Sequence, residues 1–233
     1  MKMALAGLRH MIASGELAPG QKFPTEPELC ERLGVSRTAL REAVRTLAAL
    51  GVIESRHGSG TYVSQLDPAD IVRNFSLTVE LLPLKGLLQL LEIRRVLEAH
   101  ASSLAAARCT PEHADQLATL IMQMEYEPDD ERVVELDREF HRLICDMAGN
   151  ATIASLMDVF RSRGRHYHIF AHVADARAIS NAGHRSIVEA ITSHDPVAAS
   201  AAAASHVAQT ERWLHLLLAA QVEPVPDNLL LEV

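Results

Sequence analysis

Cysteine is scarce in this chain of 233 residues: Cys30, Cys109 and Cys145 are odd in number, and no two of them form a C-x-x-C pair. That excludes a disulfide framework and a zinc ribbon, and it fits a reducing cytoplasm. Long uncharged apolar runs are missing as well, so no segment reads as a membrane span even though 48% of the residues are hydrophobic. No secretory leader is expected either, because Lys2 is followed by a short amphipathic stretch interrupted by Gly7, Arg9 and His10. These absences predict a cytoplasmic protein with no membrane partner. Strand signals stop at Val63, since no period-two run of β-branched residues follows it.

The length exceeds that of a usual single domain, and charge divides the chain unevenly. Residues 1 to 66 hold 8 Lys and Arg against 6 Asp and Glu, net +2, and the other 167 hold 14 against 24, net −10, which gives the −8 of the whole. Such an acidic protein is repelled by DNA overall, so any nucleic-acid contact must fall on the N-terminal module.

That module packs two helices, a turn and a hairpin between Phe23 and Val63. Thr25 can cap a helix that opens Glu26-Pro27-Glu28, with Glu28 placed as the reciprocal acceptor of a capping box, and this helix runs to Leu33. Gly34 and Val35 make the break. Ser36 caps a second helix, Arg37 to about Leu50, which buries Leu40, Val44 and Leu47. Its other face carries Arg37, Arg41 and Arg45 at i, i+4 and i+8, a stripe about three turns long that suits the major groove. Val52 to Arg56 and Thr61 to Val63 read as two short strands around His57-Gly58-Ser59-Gly60, a wing for backbone or minor-groove contact. The bland alternative is a solvated arginine stripe; the order of capped helix, glycine turn, stripe and glycine-bounded hairpin counts against it.

The segment FPTEPELCERLGVSRTALREAVRTLAALGVIESRHGSGTYV resembles, along its whole length, the N-terminal domain of GntR-family bacterial transcription regulators. The resemblance implies contacts to double-stranded operator DNA from Ser36, Arg37, Thr38, Arg41 and Arg45 on the recognition helix and from His57 and Gly58 in the wing. It also shows a departure: Pro27 stands where many members have an arginine, so a phosphate contact made there by relatives is missing.

Beyond the wing the chain reads as helical throughout. Helices are expected near 68–82, 84–107, 111–125, 130–148, 151–173, 176–193 and 196–220, with Asp67-Pro68, Thr110-Pro111 and Asp195-Pro196 as caps followed by proline. The alanines of 198–204 suit close helix packing. The fold class is therefore mainly α: a winged helix-turn-helix over 1–66, an all-α antiparallel helix-bundle domain over 67–221, and a tail at 222–233.

Polar residues sit where this second domain should be apolar. On helix 130–148 the inward face is Val133, Leu136, Phe140, Ile144 and Met147, and Asp137 and His141 fall inside it, one turn apart. His184 precedes Ile187, Val188 and Ile191 on one face, and His206 shares a face with Thr210, Trp213 and Leu217. One Asp and three His converging in a bundle suit a divalent ion such as zinc, nickel or manganese with coordination positions left open. Each histidine alone is more economically a core imidazole with one hydrogen bond. However, D-R-E-F-H at 137–141, G-H-R-S-I-V-E-A-I at 183–191 and A-S-H-V at 204–207 resemble the metal-ligand positions of the FCD effector domain of FadR-like GntR regulators. With E-I-R-R-V-L-E at 92–98 and A-G-N at 148–150, the likeness spans about 70 to 218 and implies the ligand set Asp137, His141, His184 and His206.

His166, His168 and His172 form a competing cluster, read as a pocket rim or solvated surface because Arg161, Arg163 and Arg165 surround it. Arg94 lies along an apolar face between Leu90, Leu91, Leu97 and Ala101, so its guanidinium needs an anion, either Asp137 or a bound carboxylate effector. Together these features predict a homodimeric, ligand-responsive transcription regulator that acts as a repressor. Two other classes remain at this point: a metal-dependent hydrolase that uses the Asp/His site to activate water, and a scaffold with a relic DNA module.

Overall fold

The computed structural model describes residues 1–161 and 175–219. The expected tail at 222–233, the His166/His168/His172 cluster, the end of the predicted helix 151–173 and the Leu217 side chain lie outside the described residues.

The chain divides into two compact units, Met1–Phe75 and Ser76–Val233. The first contains α1 (Lys2–Ala13), α2 (Glu26–Leu33), α3 (Arg37–Ala49), β1 (Ile53–Arg56), β2 (Gly60–Val63) and α4 (Pro68–Arg73). Helix α1 was not expected from the sequence. It forms because Ala4, Leu8 and Met11 recur on one face and join the core of this unit. Gly7, which looked like an interruption, is a point of close approach: a Cβ there would lie 2.6 Å from a methyl of Leu33.

Helix α2 opens as expected, with the Glu28 carboxylate accepting from both the backbone N–H and the hydroxyl of Thr25 at 2.8 Å. It ends at Gly34 in the left-handed region, φ 62°, where a side chain would be strained. Ser36 then caps α3 by accepting from the Ala39 N–H. Leu40, Ala43 and Leu47 are the buried residues of α3, while the expected Val44 is partly buried against the same core. Truncating a leucine such as Leu40 to alanine should cost about 2–5 kcal/mol. β1 and β2 pair antiparallel with Ile53 opposite Val63 and Arg56 opposite Gly60, and both apolar ends close over the core.

The second unit contains α5 (Ser76–Glu80), α6 (Leu84–Arg108), α7 (Pro111–Tyr126), α8 (Asp130–Met147), α9 (Ala151–Arg161), α10 (Ala176–Thr192) and α11 (Pro196–Ala219). The single helix predicted over 68–82 is instead two short ones, α4 and α5. The chain turns at Asn74 and Phe75, whose N–H groups bond three residues back to Ile71 and Val72 and tighten the end of α4. The proline caps hold: Asp67, Thr110 and Asp195 each accept from a backbone N–H in the first turn of the helix that follows. Helix α11 lies along α6, with Ala199 and Ala203 fully enclosed, so the small residues of 198–204 permit close contact. All five apolar residues expected on the inner face of α8 are buried.

Candidate functional site

On the N-terminal unit, Arg37, Thr38, Arg41 and Arg45 are exposed along α3, and His57 and Gly58 are exposed at the tip of the β1–β2 hairpin. Gly58 sits at φ 69°, a left-handed turn that needs glycine. The Ser36 oxygen is engaged as the helix cap. Arg45 pairs with Glu42 at 2.7 Å on the open surface, and Arg41 is held by Glu26 of α2. Below the wing, the Arg56 guanidinium stacks 4.3 Å from the centre of the Tyr62 ring.

In the helical unit, one oxygen of Asp137 and one ring nitrogen each from His141, His184 and His206 lie within 4.8 Å of one another. Helix α8 supplies the first two, α10 the third and α11 the fourth. Asp137, His141 and His184 are buried and His206 is partly buried. The imidazole centres of His184 and His206 are 4.5 Å apart, and His141 stands 5.3 and 5.4 Å from them. Gly183 makes room for this grouping, because a Cβ there would approach the His206 Nδ1 to 2.6 Å.

The cluster is embedded in charges. Arg161 donates to Asp137 at 2.9 Å and to Glu98 at 2.8 Å, and Arg94 donates to Glu98 at 2.9 Å. Glu98 also faces the His141 Nδ1 at 3.2 Å, which turns that ring's other nitrogen toward the cluster. Burial alone would raise the Asp137 carboxyl, but His141 and the Arg161 guanidinium hold it well below the carboxylate range. Burial likewise opposes ionisation of Glu98, and Arg161, Arg94 and His141 overcome it. For His184 burial dominates and lowers the imidazole against the pull of Asp137; for His206 burial, then the His184 and His141 rings, lower it well below its ordinary value. Both rings are therefore neutral at pH 7, as ligands must be. Cys145 is pushed up to about 12 by burial and then by Glu98, so it stays a thiol.

The residues fit a divalent ion. Among the described residues, the His141 Nε2 and both ring nitrogens of His184 are buried with no hydrogen-bond partner. The Nε2 atoms of His141 and His184, 3.6 and 3.2 Å from one Asp137 oxygen, are costly to bury in this state unless a cation takes their lone pairs. This counts against the core-imidazole alternative for His184, whose Nε2 lies 3.2 Å from the Asp137 carboxylate without a well-aligned hydrogen bond.

Two residues of this network were not singled out from the sequence. The residue paired directly with Arg94 is Glu98 rather than Asp137, and the i, i+4 spacing on α6 was the available signal. Arg161, read with its neighbours as rim or solvated surface, is only 10% exposed and bridges two carboxylates. Nothing in the local pattern announces that, because its partners come from α6 and α8.

A basic winged helix-turn-helix followed in the chain by a helical domain with a buried Asp/His cluster is the layout of a two-domain transcription regulator. Residues 2–63 match the model of the gntR family of bacterial regulatory proteins, and residues 89–209 match the FCD domain. The chain belongs to the GntR family, with a C-terminal FCD domain. It is 34% identical over 149 residues to the HTH-type transcriptional regulator LutR of Bacillus subtilis, covering 64% of this chain and 68% of that one. It is 29% identical over 223 residues to the Glc operon transcriptional activator of Escherichia coli K12, covering 89% and 86%. Among solved structures, a GntR protein of Streptococcus agalactiae superposes with a TM-score of 0.57 at 31% identity, over 91% of this chain and 98% of that one. Proteins of this family are ligand-responsive regulators that bind DNA operators and typically dimerise; they are not enzymes, which removes the hydrolase reading. FCD domains are often metal-binding. Among the described residues no helix is long and apolar enough to cross a membrane.

Proposed function

We infer that this chain is a cytoplasmic repressor that binds a palindromic double-stranded operator as a homodimer and responds to a small organic acid in a metal-containing helical pocket. Residues 1–66 form the DNA-reading domain and 67–221 the effector domain. Ser36, Arg37, Thr38, Arg41 and Arg45, with His57 and Gly58 of the wing, form the DNA surface. Asp137, His141, His184 and His206 would hold the ion, whether zinc, nickel or manganese. Its chemistry is that of a Lewis acid able to take a carboxylate oxygen.

The observation that carries this reading is the convergence of one Asp137 oxygen and three imidazole nitrogens within 4.8 Å of one another in the interior. Charge balance supports the effector class. Glu98 and Asp137 are already matched by Arg94 and Arg161, so a divalent ion adds a positive charge that nothing internal offsets. A carboxylate bound beside Arg94 would offset it. Dimerisation follows from the small footprint of one winged domain, since useful specificity needs two half-sites related by a two-fold axis.

The test begins with an operator selected from a random duplex library. DNA affinity is then measured for metal-loaded protein against a panel of hydroxy acids and sugar acids, for wild type and for Arg94→Ala. Release of DNA by one acid, lost in Arg94→Ala with metal content unchanged, is the expected result. Protein that is metal-free as purified, and whose DNA affinity no acid alters, would sink the proposal. A monomer by light scattering at micromolar concentration would sink the two-fold operator.

A further inference from the structure

Arg41 points from α3 into solvent, yet its guanidinium is not free. Its Nε donates to one oxygen of Glu26 at 2.5 Å and its Nη2 to the other at 3.0 Å. Glu26 is the first residue of α2, so this contact joins the two helices of the helix-turn-helix. The pair is surface-accessible, with Arg41 64% and Glu26 33% exposed.

A guanidinium has five N–H donors in one plane, and the edge that is used decides what the rest can do. Glu26 takes the side edge, formed by Nε and one hydrogen of Nη2. The end-on fork, formed by the other hydrogen of Nη2 and the adjacent one of Nη1, stays open. That fork is the edge that meets O6 and N7 of guanine as a bidentate pair. A DNA phosphate approaching the side edge must displace a carboxylate that is already in place. Glu26 is also ionised, since the hydrogen bond from Arg41 lowers its carboxyl.

A carboxylate on a face that meets DNA is otherwise unfavourable, because it repels phosphates. An acid in the first turn of a helix also has a plain explanation in the helix dipole, and that explanation requires no contact with Arg41. The two-point clamp is what the dipole alone leaves unexplained.

We propose that Glu26 is a positioning residue for sequence readout: it locks the plane of Arg41 and directs its free fork at a guanine, so that Arg41 reads a base rather than a phosphate. This rests on the assignment of α3 as the recognition helix. Discrimination at one operator position then depends on a residue outside α3, one that carries the wrong charge for DNA affinity.

The experiment uses the full-length protein and duplexes from a random-library selection, with every single-base variant of the best site titrated at fixed salt. Wild type, Glu26→Gln, Arg41→Ala and the double variant are compared, with a melting curve for each. Arg41→Ala should abolish the guanine preference at one position. Glu26→Gln should lower that preference about tenfold while leaving non-cognate affinity unchanged or higher. In the Arg41→Ala background the Glu26 change should add nothing at that position. If Glu26→Gln keeps the preference within about twofold while Arg41→Ala removes it, Glu26 only ties α2 to α3 and the proposal fails alone. If Arg41→Ala leaves every position unchanged, the proposal falls together with the assignment of the recognition helix.

Discussion

Nε2 of His184 lies 3.2 Å from Oδ1 of Asp137, yet among the described residues that nitrogen has no hydrogen-bond partner. The two atoms are close without the alignment of a good hydrogen bond, and a shared cation would engage both. Occupation should therefore stabilise the fold. At an ion concentration about 100 times the dissociation constant the gain is about 2.7 kcal/mol. Elemental analysis and melting with and without chelator check it, and His184→Ala should abolish both the bound ion and the chelator effect.

Gly183 supplies a finer test of the same site. Alanine there puts a methyl against the His206 ring, while the helix itself gains from the substitution. Metal affinity should fall about 10- to 100-fold with little loss of folded structure. Competition with a chromogenic chelator, alongside circular dichroism, separates the two effects.

Arg161 should matter more to stability than an arginine on the surface. Arg161→Met leaves Asp137 and Glu98 short of a counter-charge inside the domain, at a cost of about 3–5 kcal/mol and roughly 10 °C in Tm. Arg142, which pairs with Asp146 and Asp158 from a half-exposed position, should cost under about 1 kcal/mol when replaced by alanine. Equal losses in the two variants would mean that the buried network carries no special weight.

Acid should destabilise the metal-free protein. Folded His184 and His206 titrate below their ordinary value of 6.5, so beneath that pH the unfolded chain binds more protons than the folded one. Stability is complete above about pH 6.5 and declines as the pH falls toward the folded values, by on the order of 1 kcal/mol per pH unit for each group. Asp137 and Glu98 are also depressed, so a second decline follows below the ordinary carboxylate range. Urea titrations of chelated protein at pH 7.5, 6.5 and 5.5 measure the first decline, and a flat profile would contradict it.

On the DNA side, Arg41→Ala should cost about 1–3 kcal/mol at a selected operator if the arginine reads a guanine. Unchanged binding by the combined Arg37→Ala and Arg41→Ala variant would refute the assignment of α3.

Much of this was legible in the sequence because the decisive signals are local. Capping residues and prolines mark helix starts within one residue, and the inner face of α8 follows from period alone, so Asp137 and His141 could be located by counting. His184 and His206 could be placed on inner faces by the same logic. The buried counter-charges were harder. Glu98 repeats Arg94 at i+4 and could have been found, but Arg161 is defined by partners 24 and 63 residues away. Helix α1 was missed because a glycine in mid-helix looks like a break until the leucine that needs the space is seen.

The ligand set also constrains which changes of chain length the domain can absorb. Asp137 and His141 are both on α8, one turn apart, and the other two ligands come from separate helices. A residue inserted between Asp137 and His141 turns one against the other by about 100° and takes it off the cluster. A residue added between α8 and α9 leaves that pair in phase, and its cost falls instead on the turn at Gly149 and on the cap that Asn150 gives α9. Length variation should thus be confined to the connections, and the three residues between Asp137 and His141 on α8 should behave as a fixed ruler.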